Sequence, residues 1–201
     1  MAKSTKTTKK KQTRKAASKV KVARVKSRKA FKSYKQAIKY LSEKTDYEKE
    51  KHLRYNVTTF SLSRMEKLLA LVGNPHKKIS TAHIAGTKGK GSTATMLAKM
   101  LESNDYTVGL YTSPHVVSLH ERIVVNSEMI SESEMLGLLN RVYAPVEKMA
   151  KVEPPSFFEI MTAIAFMHFV DAKADIAVIE TGLGGRLDST NVIRPKVVGI
   201  T

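Results

Sequence analysis

From residue 86 the chain reads Gly86-Thr87-Lys88-Gly89-Lys90-Gly91-Ser92-Thr93, a composition and spacing suited to holding phosphate. A phosphate needs several backbone N–H donors converging on it. Glycine permits this by admitting unusual φ/ψ values and a close approach of the main chain. A lysine then meets the terminal phosphates, and a hydroxyl at the start of a helix holds Mg2+; Lys90 and Ser92 stand in those places. The strict P-loop expression is not met, because its first glycine would fall at Ile84 and its Ser/Thr at Gly91. On their own such residues would make a solvated lysine-glycine turn. A β-type run before them and hydroxyls opening a helix after them favour phosphate.

A second constellation is Asp175-Ile-Ala-Val-Ile-Glu180 followed by Thr181-Gly182-Leu183-Gly184-Gly185-Arg186-Leu187-Asp188. A carboxylate that ends a buried parallel strand points into the crevice where open α/β sheets bind ligands. Glu180 is therefore the expected acidic partner of the glycine loop and a candidate Mg2+ ligand. The glycine run is no dinucleotide fingerprint, since Leu187 occupies the third glycine position.

The surrounding pattern supplies the scaffold. Runs at 79–85, 107–112, 175–180 and 197–201 read as strands, and 92–103 as the helix after the loop. Residues 122–125 and 128–130 read as a small hairpin turning at Asn126-Ser127. Ser131 with Glu134, and Ser156 with Glu159, are capping boxes that open helices running to about 150 and 172. Upstream, Tyr34, Ile38, Leu41 and Tyr47 suggest a short amphipathic helix. A second helix follows, with Ser63 and Glu66 as its capping box and Gly73 and Pro75 ending it. Strands alternating with helices predict an α/β fold with a doubly wound, mainly parallel sheet.

Composition bounds the function class. The 201 residues carry 35 Lys+Arg against 18 Asp+Glu, a formal net charge of +17, which taken whole suggests a nucleic-acid binder. Its distribution argues otherwise. Residues 1–42 hold 16 basic side chains and no acid, whereas 43–201 hold 19 basic and 18 acidic ones, so a nearly neutral body carries a basic arm. That arm, too poor in apolar residues to pack, reads as solvated and disordered. It leaves polyanion contact as one role and an organelle transit peptide as another. With no cysteine, disulfides, thiolate metal sites and thiol nucleophiles are excluded. The longest apolar run, 157–170, contains Glu159 and His168 and is too short to span a membrane. No apolar signal segment precedes the body, and a cytoplasmic location is expected.

These residues, in this order, resemble the folylpolyglutamate synthase/dihydrofolate synthase family of Mur-type ATP-dependent ligases. The similar segments are Leu62-Ser-Arg-Met65, His83-Ile-Ala-Gly-Thr-Lys-Gly-Lys-Gly-Ser92, Gly109-Leu-Tyr-Thr-Ser-Pro-His115, Glu121-Arg122-Ile123, Phe157-Phe-Glu159 and Glu180-Thr-Gly-Leu-Gly-Gly-Arg-Leu-Asp-Ser-Thr-Asn191. The interrupted Lys-Gly-Ser in the loop separates this family from its cell-wall relatives. The resemblance implies residues 1–33 as an appended arm and 34–201 as the N-terminal portion of a P-loop-containing, ATP-binding Mur-ligase-like domain. The chain stops inside a strand, which reads as a piece of a longer protein. A C-terminal glutamate-binding domain would lie beyond it, and the piece alone is expected to be inactive and monomeric.

Roles follow from the same resemblance. Gly86, Thr87, Lys88, Gly89, Lys90, Gly91, Ser92 and Thr93 would bind ATP, with Lys90 catalytic on the β/γ-phosphates. Ser92 and Glu180 would hold Mg2+. Ser113, His115, Arg122, Ser156, Phe157, Phe158, Glu159, Leu187, Asp188 and Ser189 would contact a pteroate or folate substrate, to which L-glutamate is joined. Several of these have simpler explanations. Ser156 and Glu159 already form a cap, Phe157 and Phe158 suit a core, and His115 after proline suits an exposed loop. Lys88 stands where many relatives carry Asn, placing an extra cation beside the phosphates. Another Mur-type ligase, a generic P-loop ATPase, or a nucleic-acid binder acting through residues 1–42 are the alternatives.

Overall fold

The computed structural model of the chain describes residues 30–48 and 61–201. The arm and its expected disorder fall largely on 1–29, outside the described residues.

One mixed sheet organises the chain. Its strands are β1 (Ser80–Ala85), β2 (Val108–Tyr111), β3 (Ile123–Val125), β4 (Glu128–Met129), β5 (Ile176–Glu180) and β6 (Val197–Ile200). They lie in the order β4-β3-β2-β5-β1-β6. The central four strands are parallel, while β3 and β4 pair antiparallel at one edge. The mainly parallel sheet expected from the sequence is therefore present. The hairpin turn at Asn126 and Ser127 has φ of 46° and 70°, the left-handed pair that matches strand twist.

Strand alternation divides the core in two. Ile176 and Val178 of β5, with Ala82 and Ile84 of β1 and Val108 and Leu110 of β2, meet α3 (Lys90–Glu102) through Ala94 and Ala98. Ala177 and Ile179 face the opposite way, into the larger core formed with α4 (Glu132–Ala150) and α5 (Phe157–Asp171). The two-residue period of a strand decides both memberships. Helix α5 is buried around its whole circumference from Phe157 to Phe169, which explains the long apolar run. It packs so closely on β2 that a Cβ on Gly109 would lie 2.6 Å from the Phe169 ring.

Two helices, α1 (Tyr34–Ser42) and α2 (Leu62–Leu71), complete the larger core. Both differ from expectation in their ends. Helix α1 stops at Ser42, so Tyr47 lies beyond it. The carbonyl of Thr45 accepts from the Phe157 N–H and draws this segment across the start of α5. Helix α2 begins at Leu62 after Ser61, which makes no side-chain cap bond. Ser63 and Glu66 are thus inside the helix and form no capping box. Burial of Met65, Leu68 and Leu69 sets the position of α2, overriding the local cap signal. The capping boxes at Ser131/Glu134 and Ser156/Glu159 both form. Arg122, expected to open a strand, ends a 3-10 turn over Leu119–Arg122. No helix among the described residues is long and apolar enough to cross a membrane.

Phe166 is fully enclosed by the larger core. Phe166→Ala is expected to lower the stability of the fold by about 3–5 kcal/mol, read as a shifted urea midpoint with little change in slope.

Candidate functional site

The glycine loop is built by the end of one strand and the start of one helix. Strand β1 ends at Ala85, and the chain turns through residues 86–89 into α3. Gly89 sits before the helix with φ of 76°, a left-handed conformation that glycine adopts without strain. Its carbonyl accepts from the Thr93 N–H at 2.9 Å, which starts the helical ladder. The amides of the first turn have no partner within the helix, so a 13-residue helix directs its positive end at whatever lies over the loop. Lys90 is half-buried at that end, while Thr87, Lys88 and Ser92 are exposed.

Glu180 reaches the same place from β5. Counting by twos from Ile176 and Val178 puts its side chain on the α3 face of the sheet. Its carboxylate lies 3.4 Å from where a Cβ on Gly91 would stand. Glu180 is 4% exposed. Burial raises its pKa above the ordinary value, against the opposing pull of the Ser113 N–H and the Lys90 charge. The Ser113 N–H donates to Glu180 Oε2 at 2.9 Å. A buried carboxylate that is costly to ionise, beside a helix start carrying the Ser92 hydroxyl, fits a hard divalent cation.

Next to this lies a cavity of about 350 Å³, at the C-terminal ends of β2 and β5. It is lined by Ser113, Ser156, Phe158, Glu159, Leu187, Asp188 and Ser189 among the residues expected to contact substrate. The Phe158 ring enters beside Gly182, whose Cβ, if present, would lie 2.4 Å from the ring. The three lining carboxylates, Glu48, Glu159 and Asp188, are all committed to structure. Asp188 accepts from the Leu183 and Thr190 N–H groups and from the Thr190 hydroxyl, at 2.7, 2.9 and 2.5 Å. Burial raises its pKa, with these bonds opposing. The buried ring of His83 meets Thr190 at 2.8 Å and Thr181 at 3.1 Å, tying the 181–190 loop to β1.

Three expected contacts are not among the lining residues. Arg122, only 1% exposed, grips Glu48 with two nitrogens at 3.0 and 2.5 Å. Its guanidinium lies over the Phe157 ring at 5.3 Å, and its Nε donates to His115 Nδ1 at 2.8 Å. His115 is accordingly half-buried rather than exposed on its loop, and Phe157 lies in the larger core.

No protein-family model matches the chain. Individual relatives do. A dihydrofolate synthase/folylpolyglutamate synthase of Bacillus subtilis is 48% identical over 143 residues, which is 70% of this chain and 33% of the relative. The dihydrofolate synthetase of Saccharomyces cerevisiae is 40% identical over 132 residues, 66% of this chain and 30% of the relative. The crystal structure of folylpolyglutamate synthase from Thermotoga maritima superposes with a TM-score of 0.72 at 41% identity, covering 81% of this chain and 36% of that one. A folylpolyglutamate synthase–AMPPCP–folate complex superposes with a TM-score of 0.74 at 34% identity, covering 84% and 40%. The chain belongs to the folylpolyglutamate synthase/dihydrofolate synthase family. It spans about a third of the length of the curated relatives it matches.

Within this family member, Tyr47, Glu48, Ser61 and Arg64 also line the cavity and were given no role from sequence. Arg64 alone left a signal, being a cation one helical turn before the buried Leu68. Its Nε donates to both oxygens of Glu159 at 2.8 Å, with the two side chains 12% and 2% exposed. Glu159 Oε2 also accepts from the Ser156 N–H at 2.7 Å. The carboxylate thus serves the cap and the ion pair at once.

Removing Arg64 would strand a buried charge. Arg64→Met is expected to cost about 3 kcal/mol in chemical denaturation, and Glu159→Gln in the same chain to recover most of it. Glu180 predicts a pH effect of opposite sign to an ordinary ion-paired carboxylate. Its folded pKa is raised, so the folded state holds more protons than the unfolded state above about pH 4.5, and stability falls as pH rises through the folded value. Glu180→Gln keeps an acceptor for Ser113 and should be the more stable chain above that window, with no advantage below it. Parallel pH–stability curves for the two proteins would contradict this.

Proposed function

We propose that this chain carries the nucleotide- and acceptor-binding part of an ATP-dependent amide ligase joining L-glutamate to dihydropteroate or to folate polyglutamates. One observation carries the reading. Ser113 donates its N–H to Glu180 beside the glycine loop and also lines the cavity, so the phosphate end and the acceptor cavity meet at a single residue. The bound molecules named for the related complex, AMPPCP and folate, match a pair of adjoining sites of this kind.

The chemistry asks little covalent work of the protein. The acceptor carboxylate attacks the γ-phosphorus of ATP, the β–γ bridging oxygen leaves with ADP, and an acyl phosphate results. The glutamate amine then attacks the acyl carbon, and inorganic phosphate departs through a tetrahedral intermediate. Positioning and charge neutralisation dominate such steps. The first-turn amides of α3 and Lys90 would hold the β- and γ-phosphates in line with a carboxylate in the cavity. Glu180 and Ser92 would hold Mg2+, which supplies charge neutralisation at the phosphates when bound. The apolar wall formed by buried Phe158, half-buried Leu187 and exposed Leu183 would limit the access of water to the acyl phosphate.

In the complete protein, Lys90→Ala is expected to abolish ADP release that depends on both acceptor and glutamate, while leaving the denaturation midpoint nearly unchanged. Undiminished turnover would overturn the assignment. Comparing dihydropteroate with tetrahydrofolate as acceptor in the same assay separates the two activities. ADP release indifferent to both would indicate a plain ATPase.

A further inference from the structure

A second cavity, of about 420 Å³, lies away from the site above and is lined by His76, Lys77, Ile79, Val192 and Arg194. It is formed between the 3-10 turn Pro75–Lys77, which precedes β1, and the segment that enters β6. The Lys196 N–H donates to the Thr81 carbonyl, fixing that segment at the beginning of β1. The glycine loop leaves the other end of the same strand, roughly 16 Å away at the usual rise per residue.

The lining is cationic and apolar, with no carboxylate among the described lining residues. Lys77 and Arg194 are exposed, and Ile79 and Val192 are half-buried. His76 is the built element. It is 7% exposed, its ring rests near Phe166, and its Nδ1 is sealed without a hydrogen-bond partner among the described residues. Burial and the Lys77 charge both lower its pKa, so the ring is neutral at physiological pH. A buried N–H left without an acceptor is rarer than an under-satisfied lone pair. The single proton therefore belongs on Nε2, and the imidazole joins the two cations as a hydrogen-bond donor. Three donors, no acceptor carboxylate and two aliphatic walls specify an oxyanion carried on an apolar body. A bare phosphate would leave most of this volume unfilled.

We propose that this cavity is a second anion site, taking a phosphorylated small molecule whose phosphate meets Lys77, Arg194 and His76 and whose apolar body lies on Ile79 and Val192. Phenyl phosphate is a suitable probe, with inorganic phosphate and phenol as its two halves. Titrated into the complete protein labelled with 15N at histidine, phenyl phosphate is expected to shift the His76 imidazole resonances saturably and to bind more tightly than either half. Lys77→Ala and Arg194→Ala, both at exposed positions that the fold does not need, should each weaken it about tenfold. Lys90→Ala should leave it unchanged, which separates this cavity from the glycine loop. No saturable His76 shift, affinity in both alanine variants unchanged from the parent protein, or loss of binding in Lys90→Ala would overturn the proposal. Inorganic phosphate binding as tightly as phenyl phosphate would overturn the role of the aliphatic walls.

Discussion

The parallel pairing of β1 with β5 is the constraint on which the rest depends. Its register sets Ser80 opposite Ile176 and Ile84 opposite Glu180, so the glycine loop after Ala85 and the acidic end of β5 leave the sheet side by side. A slip of one residue would turn every side chain of one strand to the other face. Glu180 would then face the larger core, and no carboxylate would stand at the start of α3. The register is held because Ile176 and Val178 must pack on α3 while Ala177 and Ile179 must pack on α5. Hydrophobic burial thereby fixes the place of a charge.

The two faces of the sheet do different work. The α3 face is thin and small-featured: Ala94 and Ala98 meet the strands, which lets the helix start lie low against the strand ends. The opposite face carries most of the apolar mass, with α5 enclosed on all sides. An enclosed helix has only its N-terminus to offer a ligand. That end, with Ser156, Phe158 and Glu159, forms a wall of the cavity. The helix buried most completely is also the one that shapes the cavity.

Buried charges near the cavity are all tethered. Arg122 is paired with Glu48 and stacked on Phe157, Arg64 with Glu159, and Asp188 is wrapped by its own loop. Each would be costly alone in a low-dielectric setting. Paired, they connect the segments after α1, at the start of α2 and after β2 to the rim of one cavity. In Glu180, as in Asp188, burial disfavours the ionised form, and beside the glycine loop that is the electrostatic condition under which a cation has most to offer.

The sequence by itself determined the elements and the chemistry that is local. The glycine loop between strand and helix, the two capping boxes that formed, the hairpin turn at Asn126 and Ser127, and the strand-terminal Glu180 each depend on residues a few positions apart. Their backbone conformations follow from side-chain type. Tertiary structure decided whatever needed partners distant in the chain. Arg122 meets Glu48 from 74 residues away, and Arg64 meets Glu159 from 95; no spacing rule reports such pairs. The start of α2 was misplaced for the same reason, since burial of Met65, Leu68 and Leu69 outweighed a cap signal at Ser63 worth about 1 kcal/mol. Local signals name the candidate groups, but packing chooses which of them share a cavity, because long-range burial is the larger free-energy term.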